Sequence, residues 1–138
     1  MATIDMQTIR YINLLDRVSK VRTSKCFVYN NAIIFAVPKS LISMAIGPNA
    51  VNIRALQEKL GKRIRIIGEA EGPEDMIRFV DDVVSPIRFK SLELTPEGVV
   101  ITSGNTQVKA SLLGRNKRRL EELSQIVKDT FGFELRVV

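Results

Sequence analysis

The chain has 138 residues, 45% of them hydrophobic, with a formal net charge of +6, one cysteine and no histidine. That length holds one ordinary domain or two very small ones, and the apolar share supplies a packed core rather than a disordered chain. Without histidine the usual imidazole base and zinc ligand are missing, and Cys26 alone makes neither an intrachain disulfide nor a structural zinc site.

The first helix is expected over 5–20, where Met6, Ile9, Ile12, Leu14 and Val18 form a broad apolar face and Thr3 or Asp5 is the cap. Two β-prone runs, 25–29 and 32–37, flank Asn30-Asn31, a pair that tolerates positive φ and suits a two-residue hairpin. Cys26 lies in the first of these strands as a small core residue. Pro38 ends the second strand, and a short helix over 39–45 closes at Gly47, read as a left-handed cap. A helix over 49–60 turns Val51, Ile53, Leu56 and Leu60 inward and stops at Gly61. Residues 62–67 alternate charge and apolar side chains, as a half-buried strand does, with Arg63 and Arg65 facing away from Ile64 and Ile66.

The same order then returns. Acidic residues open a helix that runs to Val84, before Pro86. Strands follow over 87–94 and 99–102, joined by Thr95-Pro96-Glu97-Gly98. A short helix over 106–113, Gly114, a long helix over 116–130 and a strand over 133–138 complete the chain. Gly47 and Gly114 are 67 positions apart, as are Ile46 and Leu113, and Ile53 and Leu120. Gly61 and Gly132 are 71 apart, so the second long helix is longer by four residues, about one turn. Two α-β-β-α-α-β units of an α+β fold, 1–69 and 70–138, account for this spacing. Each unit is of a size at which its own core gives only marginal stability, and the connection over 68–72 is short and not Ser-rich, so the two are expected to pack rigidly together.

The chemistry centres on Gly47 and Gly114. Each ends an apolar run and precedes a helix whose first N–H groups and dipole favour an anion. Charge is uneven: residues 1–70 carry 11 Lys/Arg against 4 Asp/Glu, and residues 71–138 carry 10 against 11. The acidic residues Glu74, Asp75, Asp81 and Asp82 read as an exposed helix face, and the phenylalanines mainly as core.

The stretch Ala45-Ile46-Gly47-Pro48-Asn49-Ala50-Val51-Asn52-Ile53, on an α-β-β-α-α-β frame, resembles the type II K homology (KH) domain. Two such units in tandem are similar to the archaeal NusA-like transcription termination factors. The motif's second glycine is Ala50 in the first unit and Lys117 in the second. The resemblance implies a non-catalytic protein without cofactor or metal that clamps about four nucleotides of single-stranded RNA per unit, roughly eight for the pair. It assigns backbone contact to Gly47, Pro48, Asn49 and Ala50, and to Gly114, Arg115, Asn116 and Lys117. Arg54, Arg118 and Arg119 are candidates for further charge contacts, while Ile46, Ile53, Leu113 and Leu120 are groove floor or plain core. The implied setting is transcription termination or elongation on nascent RNA, in a cytoplasmic, membrane-free monomer, with RNA polymerase or other transcription factors as further partners. Two alternatives stay open: a protein-interaction module with vestigial loops that contacts polymerase, and an RNA-binding factor of ribosome assembly or translation. No P-loop lysine motif or nucleophile–base pair suggests an enzyme.

Rigid packing of two marginal units has a thermal consequence. A single cooperative melt by circular dichroism is expected, and two well-separated transitions would contradict it.

Overall fold

The computed structural model describes residues 6–138, so Thr3 and Asp5, expected to cap the first helix, lie outside the described residues. The elements are α1 (Met6–Ser19), β1 (Lys25–Tyr29), β2 (Ala32–Val37), α2 (Ile42–Ile46), α3 (Val51–Leu60) and β3 (Arg63–Gly68), then α4 (Met76–Val84), β4 (Ser91–Thr95), β5 (Gly98–Thr102), α5 (Thr106–Leu113), α6 (Arg118–Phe131) and β6 (Leu135–Val137). The fold is α+β with one α-β-β-α-α-β order used twice. The chain divides into two compact units between Glu69 and Ala70.

Each unit contains a three-stranded sheet whose middle strand is the second in sequence, β2 or β5. In the first unit β1 runs antiparallel to β2 through Asn30-Asn31, both at positive φ (51° and 61°). That is the requirement of a tight hairpin turn whose twist matches the strands. β3 then lies parallel to β2, with Ile33 opposite Ile64 and Phe35 opposite Ile66. A parallel neighbour cannot be reached by a tight turn, so the chain crosses over. The crossover is α2, a corner at Gly47, and α3. The second unit repeats this with β4 antiparallel and β6 parallel to β5, Val99 opposite Leu135 and Ile101 opposite Val137.

In the first unit Ile33, Phe35 and Val37 of β2 pack with Tyr11 and Leu15 of α1, Ala45 of α2, Leu56 of α3 and Ile64 of β3. The buried face of α1 is therefore only partly the one expected: Leu14 and Val18 do pack against this core, but its fully covered apolar residues are Tyr11 and Leu15. Met6 is 83% exposed and Ile9 42%, whereas Leu15 is fully buried. Met6 stands nine residues from Leu15, two and a half helical turns, which places it on the opposite side. In the second unit α4 buries Met76, Phe79, Val80, Val83 and Val84, a stripe at helical spacing. Phe79 meets Phe131 of α6 edge to face, with ring centroids 5.7 Å apart.

Both long helices end on glycine in the left-handed conformation, Gly61 and Gly132, and each glycine N–H donates to the carbonyl four residues back. α3 has 10 residues and α6 has 14, the one-turn difference seen in the spacing. Boundaries differ elsewhere. The strand expected over 87–94 starts at Ser91, because β5 ends at Thr102 and offers residues before Lys90 nothing to pair with. The last strand shortens to Leu135–Val137, the part that faces β5. α3 and α6 begin at Val51 and Arg118, two residues later than expected, for a reason that lies in the corners themselves.

Leu56 of α3 and Leu123 of α6, 67 positions apart, are both wholly buried. Leu56→Ala and Leu123→Ala should each cost about 2–5 kcal/mol in urea denaturation. A loss well below 1 kcal/mol at either position would show that it does not anchor its unit.

Candidate nucleic-acid interface

At the first corner the Gly47 N–H closes α2 by donating to the Ser43 carbonyl (2.9 Å), and the Gly47 carbonyl accepts from Ala50 N–H (3.0 Å). Gly47 itself has φ 81° and ψ 162°. This is not the left-handed helical cap expected from sequence but the extended positive-φ region, which is essentially restricted to glycine. A Cβ on Gly47 would also come within 2.8 Å of Asn52 Nδ2 and 2.9 Å of Val51 Cγ1. The left-handed helical conformation falls instead on Asn49 (φ 55°, ψ 30°) and Ala50 (φ 58°, ψ 31°). Two consecutive left-handed residues cannot belong to a right-handed helix, so α3 starts only at Val51.

The second corner reproduces these angles. Gly114 has φ 72° and ψ 177°, Asn116 φ 56° and ψ 28°, and Lys117 φ 59° and ψ 25°. Gly114 N–H donates to the Ala110 carbonyl (2.9 Å), and Lys117 N–H to the Gly114 carbonyl (3.2 Å). A Cβ on Gly114 would strike Arg119 Cγ and lie 3.0 Å from the Arg119 backbone nitrogen. Ala50 and Lys117, different side chains at the motif's second glycine position, therefore share one backbone conformation. Asn52 and Arg119 are equivalent positions, and both lean over their glycine. Asn52 Nδ2 further donates to the Met44 carbonyl at the end of α2 (3.0 Å), bracing the two helices across the bend.

The corners are open to solvent but offer fewer backbone donors than an idealised helix start. Pro48, Asn49, Arg115, Asn116 and Lys117 are exposed, and Gly47, Ala50 and Gly114 half-buried. Gly47 and Ala50 spend their N–H groups inside the turn, Val51 donates to Pro48, and Pro48 has no N–H. That leaves Asn49 N–H at the first corner; at the second, Arg115 and Asn116 both keep theirs. Side chains widen the contrast. Residues Gly47–Ala50 carry no charge, whereas Arg115, Lys117 and Arg118 surround the second turn, all exposed. The first corner is instead flanked by exposed apolar groups, Met44 (49%) and Val51 (46%), where the second has Ser111 and Arg118. Val51 was expected inside, and Met44 gave no signal as a lone methionine in a short helix. At the 67-residue offset the apolar Met44 and Val51 stand opposite the polar Ser111 and Arg118.

Among the other sequence candidates, Arg54 is exposed on α3, and Ile46, Ile53, Leu113 and Leu120 are half-buried. Ile53 packs on the first unit's core. Arg119 is bonded to Glu122 on its own helix and is largely covered, its side chain serving as the lid over Gly114. Arg63 is exposed and Arg65 half-buried. The acidic face of α4 is partly neutralised from within: Arg78 pairs with Asp75 (2.6 Å) and Asp82 (2.9 Å). The hydrogen bond to Asp75 is the main cause that holds the Arg78 guanidinium above its ordinary pKa. Among the described residues no group of three or more His, Cys, Asp or Glu is placed to hold a metal, and no helix is long and apolar enough to cross a membrane.

A family profile described as "KH domain" matches residues 32–113, from the first residue of β2 to the last of α5. It contains the first corner whole and ends one residue before Gly114. Similar curated sequences include the "Probable transcription termination protein NusA" of Halococcus morrhuae, 27% identical over 134 residues that cover 96% of this chain and 94% of that protein. The protein of the same name from Methanocaldococcus jannaschii is 25% identical over 133 residues, covering 93% of this chain and 71% of the relative. Among solved structures, the crystal structure of APE1850 superposes with a TM-score of 0.67 at 26% identity, covering 98% of this chain and 99% of the other.

The angles at the corners translate into stability. Gly47→Ala and Gly114→Ala should each destabilise by about 1–3 kcal/mol. Ala50→Gly and Lys117→Gly should stabilise by about 1 kcal/mol, since the left-handed conformation costs a side chain about 1–2 kcal/mol and glycine returns part of that as entropy. Chemical denaturation of the four variants checks the pattern; a neutral Gly47→Ala would refute the assigned backbone.

Proposed function

The chain belongs to the KH domain family, and we propose that it is a non-catalytic RNA-binding factor of transcription termination or elongation, holding single-stranded nascent RNA at its two glycine corners. The observation that carries this reading is the pair of exposed turns with matching dihedral angles, each midway along a crossover between parallel strands. The transcriptional setting is supported by the names of the similar archaeal proteins. The net charge of +6 suits a polyanionic partner.

In this reading the RNA backbone meets each corner where open N–H groups face solvent. At the first, Asn49 N–H and its side-chain amide take a phosphate oxygen, and Arg54, one turn into α3, adds charge. Met44 and Val51 beside it give a base or sugar an apolar surface, with Ile46 and Ile53 beneath. At the second, the Arg115 and Asn116 N–H groups act with the charges of Arg115, Lys117 and Arg118. Arg119, held by Glu122, keeps the turn closed rather than reaching out. The first corner thus binds mainly through hydrogen bonds and apolar contact, the second mainly through ion pairs.

Salt separates the two modes. Each phosphate neutralised on a single strand contributes about −0.7 to the slope of log K against log salt. Replacing Arg115, Lys117 and Arg118 together by Gln should therefore flatten the slope for a single-stranded RNA by roughly 2. Asn49→Asp, which keeps a residue tolerant of the left-handed turn, should weaken binding at least about tenfold, a change of about 1.4 kcal/mol, with little change in circular dichroism. If both variants bind RNA as the unmodified chain does, neither corner is the site.

A further inference from the structure

On the first unit, a groove of about 530 Å³ opens between α1 and the C-terminal end of α3. Its floor is apolar, built from Met6, Ile9, Leu14 and Leu60, and its rim carries Arg10, Arg17 and Lys59. None of the described lining residues is acidic or aromatic. Met6 and Ile9 are the α1 residues that the core leaves outside, 83% and 42% exposed. Among the described residues no carboxylate pairs with Arg10, Arg17 or Lys59; the nearby Asp16 pairs with Arg22 instead. An apolar strip bordered by three cations that pair with no described carboxylate is the complement of an apolar strip bordered by carboxylates.

The shape narrows the occupant further. Met6, Arg10 and Arg17 follow the helical repeat along one side of α1, so the groove extends for about 16 Å, three turns of helix. A groove of this length and character accepts the apolar face of a short helix through anchors at i, i+3, i+4 and i+7. It lacks what single-stranded RNA uses, aromatic platforms and a glycine turn with open N–H groups. Lys59 also stands eight residues beyond Val51, about 12 Å along α3, so the groove lies away from the first corner.

We propose that this groove docks an acidic amphipathic helix of a partner protein, independently of RNA held at the corners. The test is amide chemical-shift mapping on the full chain with two synthetic helical peptides of roughly 18 residues, five turns. Both carry Leu at i, i+3, i+4 and i+7; one has Glu at its remaining positions and its twin has Lys. The Glu peptide should shift resonances of α1 and of residues 59–60, and the Lys twin should not. The exposed pair Arg10→Glu with Arg17→Glu should weaken the Glu peptide at least about tenfold while changing single-stranded RNA affinity less than about twofold at 0.15 M salt, where the Debye length is about 8 Å. The proposal is overturned if the Glu peptide leaves α1 unmoved at millimolar concentration, if both peptides bind alike, or if the Glu peptide shifts residues 47–50 or 114–117 instead. It also fails if single-stranded RNA alone shifts α1, or if α1 resonances move with protein concentration in the absence of peptide, which would make a second copy the occupant. A chain that binds the peptide but not RNA would leave this groove standing and remove the corner reading alone.

Discussion

The structure of each unit depends on one backbone conformation that only glycine holds cheaply. Placing β3 parallel to β2 obliges the chain to climb back along the sheet, and it does so with a helix of only five residues, a bend, and a second helix. At the bend Gly47 combines positive φ with an extended ψ. The side chain at the fifth position onward, Asn52 or Arg119, fills the space where a Cβ would sit. Burial fixes the helices on either side of the bend. Ala45 and Leu56 are both inaccessible, as are Leu112 and Leu123 in the second unit. With the bend pinned on both sides, the three residues after the glycine have nowhere to go but outward. Exposure of 48–49 and 115–117 follows from the crossover and the core, before any ligand is considered.

The element order was legible because it rests on short-range signals: apolar periodicity, the Asn-Asn hairpin and the glycines that end helices. The duplication was legible because a constant offset of 67, broken only by one added helical turn, survives extensive side-chain divergence. Other features depended on contacts that a single strand of text does not contain. Nothing local distinguishes a glycine that caps a helix in the left-handed well, as Gly61 does, from one that turns a corner with extended ψ, as Gly47 does. The late starts of α3 and α6 have the same origin, since Ala50 and Lys117 adopt a conformation that their own propensities oppose. In α1, Met6 and Ile9 were as apolar as Tyr11 and Leu15, and only the position of β2 decided which side was buried. Among the candidate site residues, the two turns were readable as turns, whereas the engagement of Arg119 by Glu122 and the exposure of Met44 and Val51 were not.

The residues at the left-handed positions separate what the fold demands from what it merely permits. Asn49 and Asn116 suit that conformation, because a short polar side chain tolerates it. Ala50 and Lys117 do not; each sits where glycine would be relaxed, at a cost of about 1–2 kcal/mol. Strain of this kind persists where surrounding structure over-determines it, and it gathers at ligand-contacting turns. The core does not require these side chains, since both point to solvent or lie half-exposed. Lys117 places a cation at the lip of a turn that already has Arg115 and Arg118, while Ala50 leaves its turn uncharged between Met44 and Val51. Because the backbone angles agree to within a few degrees at both left-handed positions, the difference between the corners lies in side-chain chemistry and in their open N–H groups. Geometry and charge are thereby decoupled: one turn, used twice, presents an apolar neutral surface in the first unit and a cationic one in the second.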